Sequence, residues 1–192
     1  MKDLRWPLLL ALALLLSACS SKTIEMYTLV PSTQPAVSSP YRHSDLRVEY
    51  PKGLADSMSS RIYYTRSDLT RSYYRYHQWS QSLNRLVMAQ LVETLQRSHA
   101  FGHVLDYASQ AGADYLLETT IYRFEHRITP QGSFAEISIG VRLLRASDRG
   151  LIKSRHFDYR IPCSSTDARG FVQAANEGMQ RLARDLIHWL QR

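Results

Sequence analysis

The sequence predicts an α+β domain with a mostly antiparallel sheet and two long amphipathic helices packed on it. Several short segments alternate apolar and polar residues or are rich in β-branched and aromatic side chains, which is typical of strands. Two longer segments repeat apolar residues every three or four positions, which is typical of helices with one buried face. Because helices and strands do not alternate strictly along the chain, the pattern favours α+β over a parallel α/β fold.

The N-terminus has the three parts of a secretory signal. A short basic region, Met1–Arg5, precedes an apolar run from Pro7 to Leu16, and small residues follow. The apolar run is much shorter than the roughly 20 residues that a membrane-spanning helix needs. Leu16–Cys19 resembles the lipobox of bacterial lipoproteins, in which the cysteine receives diacylglycerol before cleavage. We therefore predict a signal peptide over residues 1–18 and lipidation of Cys19; the alternative is an ordinary signal peptide that happens to contain a cysteine.

Lipidation would attach the mature chain to a membrane. Each buried CH₂ of an acyl chain contributes about 0.8 kcal/mol and stable attachment needs more than one chain, a condition that the lipid of such a cysteine meets. Ser20 follows Cys19 where aspartate would signal retention, and by resemblance to enterobacterial sorting this favours the periplasmic face of the outer membrane over the inner membrane. No later segment is long and apolar enough to span a bilayer.

The chain is basic, with a formal net charge of +7. A basic balance is compatible with binding to nucleic acid or to an anionic surface. Export excludes nucleic acid as a partner. Anionic lipid headgroups, an acidic protein partner and an ordinary solvated surface remain as interpretations of the charge.

Residues 19–44 are predicted to form a lipidated N-terminus and a Pro/Ser-rich tether. Pro31, Pro35 and Pro40 exclude a helix and favour an extended chain. Within this stretch, residues 24–30 are rich in strand formers and could add a first strand to the sheet of the domain. The α+β domain itself is predicted over residues 45–192.

Three strands and a helix are predicted in the first part of this domain. Apolar and charged residues alternate from Leu46 to Tyr50, and Arg61–Arg66 is a second candidate strand. Residues 72–79 form either a third strand or an extended entry to a helix. The helix follows from Ser80, with Ser80 or Ser82 as its N-cap and Gly102 compatible with its end.

The second part is predicted to be an antiparallel meander followed by a helix. The strands are residues 115–128, 134–144 and 151–161, and short turn sequences join them. In the second turn, Gly150 can supply a positive φ. Thr166 or Asp167 is expected to cap the final helix, whose apolar face begins at Phe171.

The sequence contains few candidates for catalysis or metal binding. His99 and His103 are four residues apart but lack a third ligand, and no nucleophile motif or phosphate loop is present. Cys163 has no partner within the chain if Cys19 is lipidated, so it is either buried and inert or able to pair between chains. We therefore expect a protein that is not an enzyme and that needs no cofactor or metal.

A partner-binding segment is predicted between Arg61 and Trp79, where tyrosines and arginines are interleaved. These residue types are enriched at binding hot spots because they offer large, rather rigid contact areas with a polar end. The alternative is that Tyr64, Tyr74 and Trp79 pack beneath the helix that follows. The candidates are Tyr63, Tyr64, Arg66, Arg71, Tyr73, Tyr74, Arg75 and Tyr76.

The same segment carries a family resemblance. Arg61–Tyr64, Tyr74–Trp79 and Leu83–Leu95, followed by Ser98–Val104, resemble the ABC-type transport auxiliary lipoprotein family. A "Y-x-L" strand near the tether, here Tyr27–Leu29, is also part of the shared pattern. The resemblance covers about residues 24–190 and consists of aromatic and apolar positions rather than catalytic signatures.

This resemblance implies a role in lipid transport. Members resemble the lipoprotein of the paraquat-inducible system and accompany mammalian-cell-entry (MCE) proteins, a permease and an ATPase in phospholipid transport across the envelope. The lipoprotein is expected at the outer membrane, docked on the MCE-domain protein, and some members form oligomeric rings, so a homo-oligomer is a further expectation. Cys19 is the residue whose role the resemblance transfers.

Two other functions are compatible with the sequence. An outer-membrane lipoprotein that activates a peptidoglycan synthase, or supports another envelope machine, would also join a proline-rich tether to an α+β domain. The third interpretation is an enzyme such as a lipid hydrolase.

Overall fold

Nine strands form one mixed sheet in the computed structural model, which describes residues 22–31, 36–53 and 55–191. The predicted lipidation site, Cys19, lies outside the described residues. The strands are β1 (Glu25–Tyr27), β2 (Asp45–Val48), β3 (Lys52–Gly53), β4 (Arg61–Arg66), β5 (Arg71–Trp79), β6 (His103–Asp106), β7 (Tyr115–Thr129), β8 (Gly132–Arg145) and β9 (Leu151–Pro162). Two α-helices, α1 (Leu83–Ser98) and α2 (Ala168–Gln191), and a 3₁₀ turn (Ala55–Met58) complete the described structure.

Strand β7 pairs with four other strands, β2, β3, β4 and β8. One of its edges pairs with β8 in an antiparallel arrangement along nearly the whole strand. Its other edge receives three parallel partners in succession: β2 near Leu116, β3 at Thr120 and Ile121, and β4 from His126 to Ile128. The parallel partners are separated from β7 by long stretches of chain, so their pairing is set by tertiary packing and not by a local turn.

The expectation of a mostly antiparallel sheet is therefore wrong, because the sheet is mixed. Strands β2, β3 and β4 pair with β7 in parallel, as do β2 with β6 and β1 with β5. Short turns indicate antiparallel neighbours only for the strands that they join directly. The predicted meander of β7, β8 and β9 is confirmed. Its second turn differs in detail, because Arg149 and not Gly150 adopts a positive φ, of 55°.

At the other end of the sheet, β4 and β5 form a hairpin and β1 adds a short edge strand. Residues 71–79 are thus a strand and not an extended entry to a helix. The register shifts between Arg61 and Tyr63, where β5 contains more residues than β4, so the pairing of the two strands is irregular there. The predicted strand near the tether is confirmed over Glu25–Tyr27, where it pairs with β5.

The two helices begin with different caps. At α2, the carboxylate of Asp167 accepts a hydrogen bond of 2.9 Å from the backbone N–H of Gly170, as predicted for an N-cap. Ser82 occupies the N-cap position of α1, but its side chain makes no capping hydrogen bond. His99 ends α1 in the left-handed conformation with φ 53°, which is a common way to close the last turn.

The main core lies between the sheet and the two helices. Its aromatic centre joins Trp79, Phe124 and Phe171, whose ring centroids are 6.0–6.3 Å apart in edge-to-face pairs. Offset and edge-to-face geometries are those that aromatic pairs prefer. In α2, Gly178 allows close approach to the sheet, since a Cβ there would meet Ile137 Cδ1 at 2.6 Å.

The described part of the predicted tether contacts the domain. The backbone N–H of Val37 donates to the carbonyl of Ser98 at the end of α1, and Tyr41 stacks on Phe101 at 5.3 Å. At the end of α2, the ammonium of Lys153 lies 5.2 Å from the Tyr41 ring. Residues 36–44 therefore form a strap on the helical side of the domain, ahead of the predicted boundary at residue 45.

Candidate docking surface

The sheet has an open face on the side away from the helices. Along β7 and β8, the side chains of this face are mostly charged or polar, whereas those facing the helices are mostly apolar. We call the outward side of β4, β5, β7, β8 and β9 the open face. In the described part of the chain, neither α1 nor α2 covers it, so it is the surface most available to a partner.

The hairpin divides the eight partner-binding candidates between its two faces. Tyr64 and Tyr74 contact each other, with ring centroids 5.0 Å apart, and are half-buried on the helical side. The Tyr74 hydroxyl lies 2.8 Å from Nδ1 of His126. These two tyrosines therefore pack on the helical side, as the alternative interpretation expected. Among the described residues, however, their ring contacts lead through His126 to Phe171 of α2 and not to α1, the helix that follows the segment. Trp79 is also buried, and it contacts Phe171 of the second helix.

Tyr63 and Tyr73 lie on the open face. They are directly opposite each other in the hairpin, with ring centroids 6.2 Å apart and edge-to-face. The Arg71 guanidinium lies 4.7 Å from the Tyr63 ring, and the Arg61 guanidinium lies 4.3 Å from the Tyr73 ring. Such cation–π contacts hold long side chains in place while leaving their N–H groups available.

Of the three remaining candidates, Arg66 ends β4 opposite Ile128 of β7, whereas Arg75 and Tyr76 lie on β5 just before the residues that pair with β1. The Arg66 guanidinium lies 5.4 Å from the Tyr64 ring. Arg75 is exposed, and among the described residues it forms no ion pair. Tyr76 is half-buried beneath the ammonium of Lys22, 5.1 Å away.

The nearly buried carboxylate of Glu125 lies on the open face beside the hairpin and pairs with basic side chains. The side chain of Glu125 is only 9% exposed and accepts hydrogen bonds from Thr65 Oγ1 at 2.9 Å and from Arg71 Nε at 3.1 Å. Arg127 lies 3.8 Å from its other oxygen, and Arg71 also pairs with Asp56. A buried charge needs such partners, because its loss of hydration is otherwise uncompensated.

Two further glutamates repeat this arrangement along the open face. Glu136 has guanidinium groups of Arg123 and Arg127 at 3.5 Å and that of Arg160 at 3.8 Å. Its side chain is 16% exposed, whereas that of Arg160 is 57% exposed. The glutamate therefore lies beneath its arginines.

Glu118 is enclosed in the same way at the other end of β7. Arg149 lies 2.9 Å away, Arg142 3.9 Å and Lys52 4.0 Å. Every guanidinium carries five N–H donors, and one carboxylate uses few of them. The open face is thus a positioned array of basic groups that can bind carboxylates or phosphates of a partner.

A cleft opens beside the hairpin where these groups meet. It has a volume of ≈ 230 Å³, and its lining includes Asp56, Tyr63, Arg71, Tyr122 and Glu125. Charged and aromatic groups converge on it. This composition suits a polar side chain or a loop of a partner protein better than an apolar small molecule.

A serine and a histidine contact each other on the open face, but their geometry differs from a catalytic triad. Ser138 Oγ lies 2.8 Å from Nε2 of His156. Asp158 Oδ1 lies 3.3 Å from the same nitrogen. In a Ser–His–Asp triad the carboxylate bonds to the other ring nitrogen and so orients the base toward the serine.

Buried titratable groups lie on the helical side. Burial lowers the pKa of His126 to about 4, although Asp167 acts in the opposite direction. The ring of His126 is fully buried and stacks on Phe171 at 5.4 Å. Burial also raises the pKa of Cys163, which is half-buried rather than fully buried. These groups belong to the core.

Within the part of the chain that the structure describes, no group of three or more His, Cys, Asp or Glu side chains could hold a metal ion. His103 instead contacts Asp45, with Nδ1 2.8 Å from Oδ1. Among the same residues, no helix is both long and apolar enough to cross a membrane.

Glu118, Glu125 and Glu136 and their arginines are functional candidates that were not predicted from the sequence. They lie at different positions of two strands and come together only when β7 and β8 pair. The signal that could have revealed them is the alternation on β7 and β8, which places charged residues on one face of adjacent strands.

The comparisons with known proteins give a clear result for the family. The family model described as "ABC-type transport auxiliary lipoprotein component" matches residues 27–187. The chain belongs to this family. The resemblance found in the aromatic segment and after α1 is thereby confirmed. Membership implies a membrane-anchored location in the cell envelope and a transport system as partner.

Solved structures share the fold of this auxiliary lipoprotein. Protein XCC0632 from Xanthomonas campestris matches with a TM-score of 0.78 at 23% identity, covering 86% of this chain and 94% of that one. The PelC dodecamer from Paraburkholderia phytofirmans matches with a TM-score of 0.51 at 10% identity, covering 82% and 94%. At these identities the likeness concerns the fold alone. The search of curated proteins finds no significant match.

Proposed function

We propose that this lipoprotein is a non-enzymatic accessory of an MCE-type ABC transport system, which moves phospholipid or a related lipid between the inner and outer membranes. Lipid on Cys19 holds the chain at the periplasmic face of the outer membrane. The domain then acts by docking on the MCE-domain protein of the same system. The observation that carries the proposal is the family match over residues 27–187.

The open face supports docking as the mode of action. Its basic side chains are held by glutamates and aromatic rings, and therefore lose little conformational freedom when a partner binds. Tyr63 and Arg71 line the cleft, and Tyr73 contacts Tyr63 beside it. Tyr and Arg residues that are positioned in this way often contribute most of the binding energy of an interface. An acidic surface on the MCE-domain protein would match their charge.

Affinity purification from envelopes tests the docking surface. A tagged chain should recover the MCE-domain protein after mild cross-linking, and Tyr73→Ala should lower that recovery by about tenfold, the effect of losing an interface hot spot. Tyr107→Ala is the matched control. Tyr107 is 46% exposed, close to the 43% of Tyr73, but lies beside Tyr50 away from the open face. Equal recovery with both variants would contradict docking through this face.

Membrane attachment needs a separate test. Mass spectrometry of the mature N-terminus should find acyl groups on Cys19, and Cys19→Ser should release the chain from outer-membrane fractions. An unmodified thiol would contradict the proposed anchor. Recovery of a peptidoglycan synthase in place of an MCE-domain protein would support the cell-wall interpretation instead.

A further inference from the structure

The first described residues limit where the membrane anchor can be. Lys22 already contacts the domain, since its ammonium lies 5.1 Å from the Tyr76 ring. Cys19 lies three residues before Lys22 in the sequence. At 3.3–3.6 Å per residue, the chain between them spans at most about 11 Å. A lipid on Cys19 therefore enters the bilayer close to the hairpin, and the predicted tether gives the domain little reach.

Strand direction indicates which end of the sheet faces the bilayer. Strand β1 is parallel to β5, with Glu25 opposite His77. Because the two strands are parallel, the chain before β1 comes from the direction of the start of β5, which is the side of the β4–β5 turn. The N-terminus of α2 lies beside the start of β1, since Arg169 is 3.7 Å from Glu25. The turn between β8 and β9 lies at the opposite end of the meander.

The chemistry of the hairpin end suits a membrane interface. Leu69, at the tip of the turn, is 79% exposed and adopts a positive φ of 66°. The exposed basic residues Lys22, Arg66 and Arg75 surround the hairpin, and none of them has a carboxylate within 4.0 Å among the described residues. An apolar tip flanked by basic and aromatic side chains is typical of segments that lie in the headgroup region.

The carboxylates nearby do not offset this charge directly. Asp68, in the turn, accepts hydrogen bonds from the backbone and hydroxyl of Thr70. Glu25 is paired with His77 and Arg169, and Asp56 with Arg71. Arg66 also interacts with the charge of Asp68 and with Tyr64, but like Lys22 and Arg75 it is exposed and has no carboxylate within 4.0 Å among the described residues, so its guanidinium can reach lipid phosphates.

We propose that the hairpin end, defined by Lys22, Arg66, Leu69 and Arg75, is a membrane-contact surface that lies on anionic phospholipids. The proposal rests on the proposed function, because it takes Cys19 as the lipidated residue. Two observations favour a lipid bilayer as the partner of this surface. The chain between Lys22 and Cys19 is short, and the basic side chains complement the negative charge of the phospholipids. Contact orients the domain and leaves the other end of the sheet directed into the periplasm.

Tryptophan quenching tests the contact directly. The acylated mature chain is reconstituted into vesicles of phosphatidylethanolamine and phosphatidylglycerol that carry brominated acyl chains. Leu69→Trp should add emission that the brominated lipid quenches. Leu151→Trp is the matched control, since Leu151 is also exposed, at 59%, but begins β9 at the opposite end. Equal quenching of the two added tryptophans, or quenching of neither, would overturn the proposal.

A charge reversal tests the role of the phosphates. The Cys19→Ser mature chain should bind the same vesicles at least about 30-fold more weakly when it also carries Arg66→Glu and Arg75→Glu. Loss of each basic group near an anionic surface accounts for about fivefold, and the added glutamates are repelled by the surface as well. Arg85→Glu with Arg184→Glu makes the same change of charge on exposed helix positions and should weaken binding much less. Replacing phosphatidylglycerol by phosphatidylcholine should abolish the difference between the two pairs.

Failure of this inference can be separated from failure of the proposed function. If Cys19 is acylated and the MCE-domain protein is recovered, but Leu69→Trp is not quenched, the membrane-contact surface alone is wrong. If the reversal at Arg66 and Arg75 abolishes recovery of a protein partner and leaves vesicle binding unchanged, the surface binds an acidic protein and the proposal fails.

Discussion

The hydroxyl of Tyr74 lies 2.8 Å from Nδ1 of His126, and this contact joins the aromatic hairpin to the centre of the core. His126 in turn stacks on Phe171 of α2, at 5.4 Å. The helical side of the hairpin therefore depends on a neutral histidine, while its outward side is open for binding. Stability and docking can be tested separately for this reason.

The first prediction concerns pH. The pKa of His126 is lowered by burial from 6.5 to about 4, so the unfolded state binds more protons between these values. The free energy of unfolding therefore has its full value above about pH 6.5 and decreases as the pH falls toward 4. Protonation of His126 accounts for up to about 3 kcal/mol of this decrease. Denaturant titrations from pH 7 to pH 4 measure the loss.

His126→Phe is the comparison for this pH effect. Phenylalanine keeps an aromatic ring at this position and removes the titratable imidazole. The Tyr74 hydroxyl then loses its hydrogen-bond partner, so the variant should be less stable than the wild type at pH 7. Its free energy of unfolding should fall less steeply between pH 6.5 and 4 than that of the wild type. Identical slopes would show that His126 does not control this range.

The second prediction concerns the buried carboxylate of the open face. Glu125→Ala leaves Arg71 and Arg127 without a shared partner and should lower the free energy of unfolding by about 3 kcal/mol. Glu177→Ala removes an exposed pair with Arg181 and should cost less than about 1 kcal/mol. Chemical denaturation measures both, and comparable losses would contradict a structural role for the glutamate.

The third prediction concerns the start of α2. A Cβ on Gly170 would meet the backbone oxygen of Ser165 at 2.4 Å. Gly170→Ala should therefore lower the thermal midpoint, with a loss of about 1–3 kcal/mol, even though alanine favours helices. A Cβ on Gly112 would have no atom of the described residues within 4 Å, so Gly112→Ala should be nearly neutral. A stabilising Gly170→Ala would refute this packing.

The fourth prediction concerns the strap formed by residues 36–44. Lys153 donates hydrogen bonds to the carbonyls of Trp189 at 3.0 Å and Leu190 at 3.4 Å, and lies over the Tyr41 ring. Lys153→Met should increase amide hydrogen exchange in the strap and in the last turn of α2, because the carbonyls lose their donor. Lys52→Met, at a side chain that is 75% exposed, is the control. Unchanged exchange in the Lys153 variant would show that the strap is held by other contacts.

Local elements of the fold could be predicted from the sequence because local patterns specify them. The meander follows from alternating residues and turn sequences, and Asp167 caps α2 through its own carboxylate. The partners of β2, β3 and β4 could not be predicted in the same way. Alternation shows that a segment is a strand, but parallel neighbours are chosen by packing across long stretches of chain.

The candidate site could likewise be predicted only where its residues are close in sequence. The tyrosines and arginines of the hairpin are close in sequence, and strand alternation divides them between two faces. Which of these faces is buried depends on tertiary contacts such as that of Tyr74 with His126. The glutamates of the open face come from β7 and β8, and they form an array only once these strands are paired. The strap was assigned to the tether because its prolines and serines indicate extension, whereas Tyr41 fixes it to Phe101.

Photo-cross-linking in living cells can identify the protein that contacts the open face. A photoreactive amino acid is placed at Tyr73, on the open face, and at Tyr107 as the control, and adducts are identified by mass spectrometry. If the domain docks through the open face, we expect a covalent adduct with the MCE-domain protein from position 73 and none from position 107. An adduct with a different envelope machine at position 73, or the same MCE adduct from both positions, would contradict this docking.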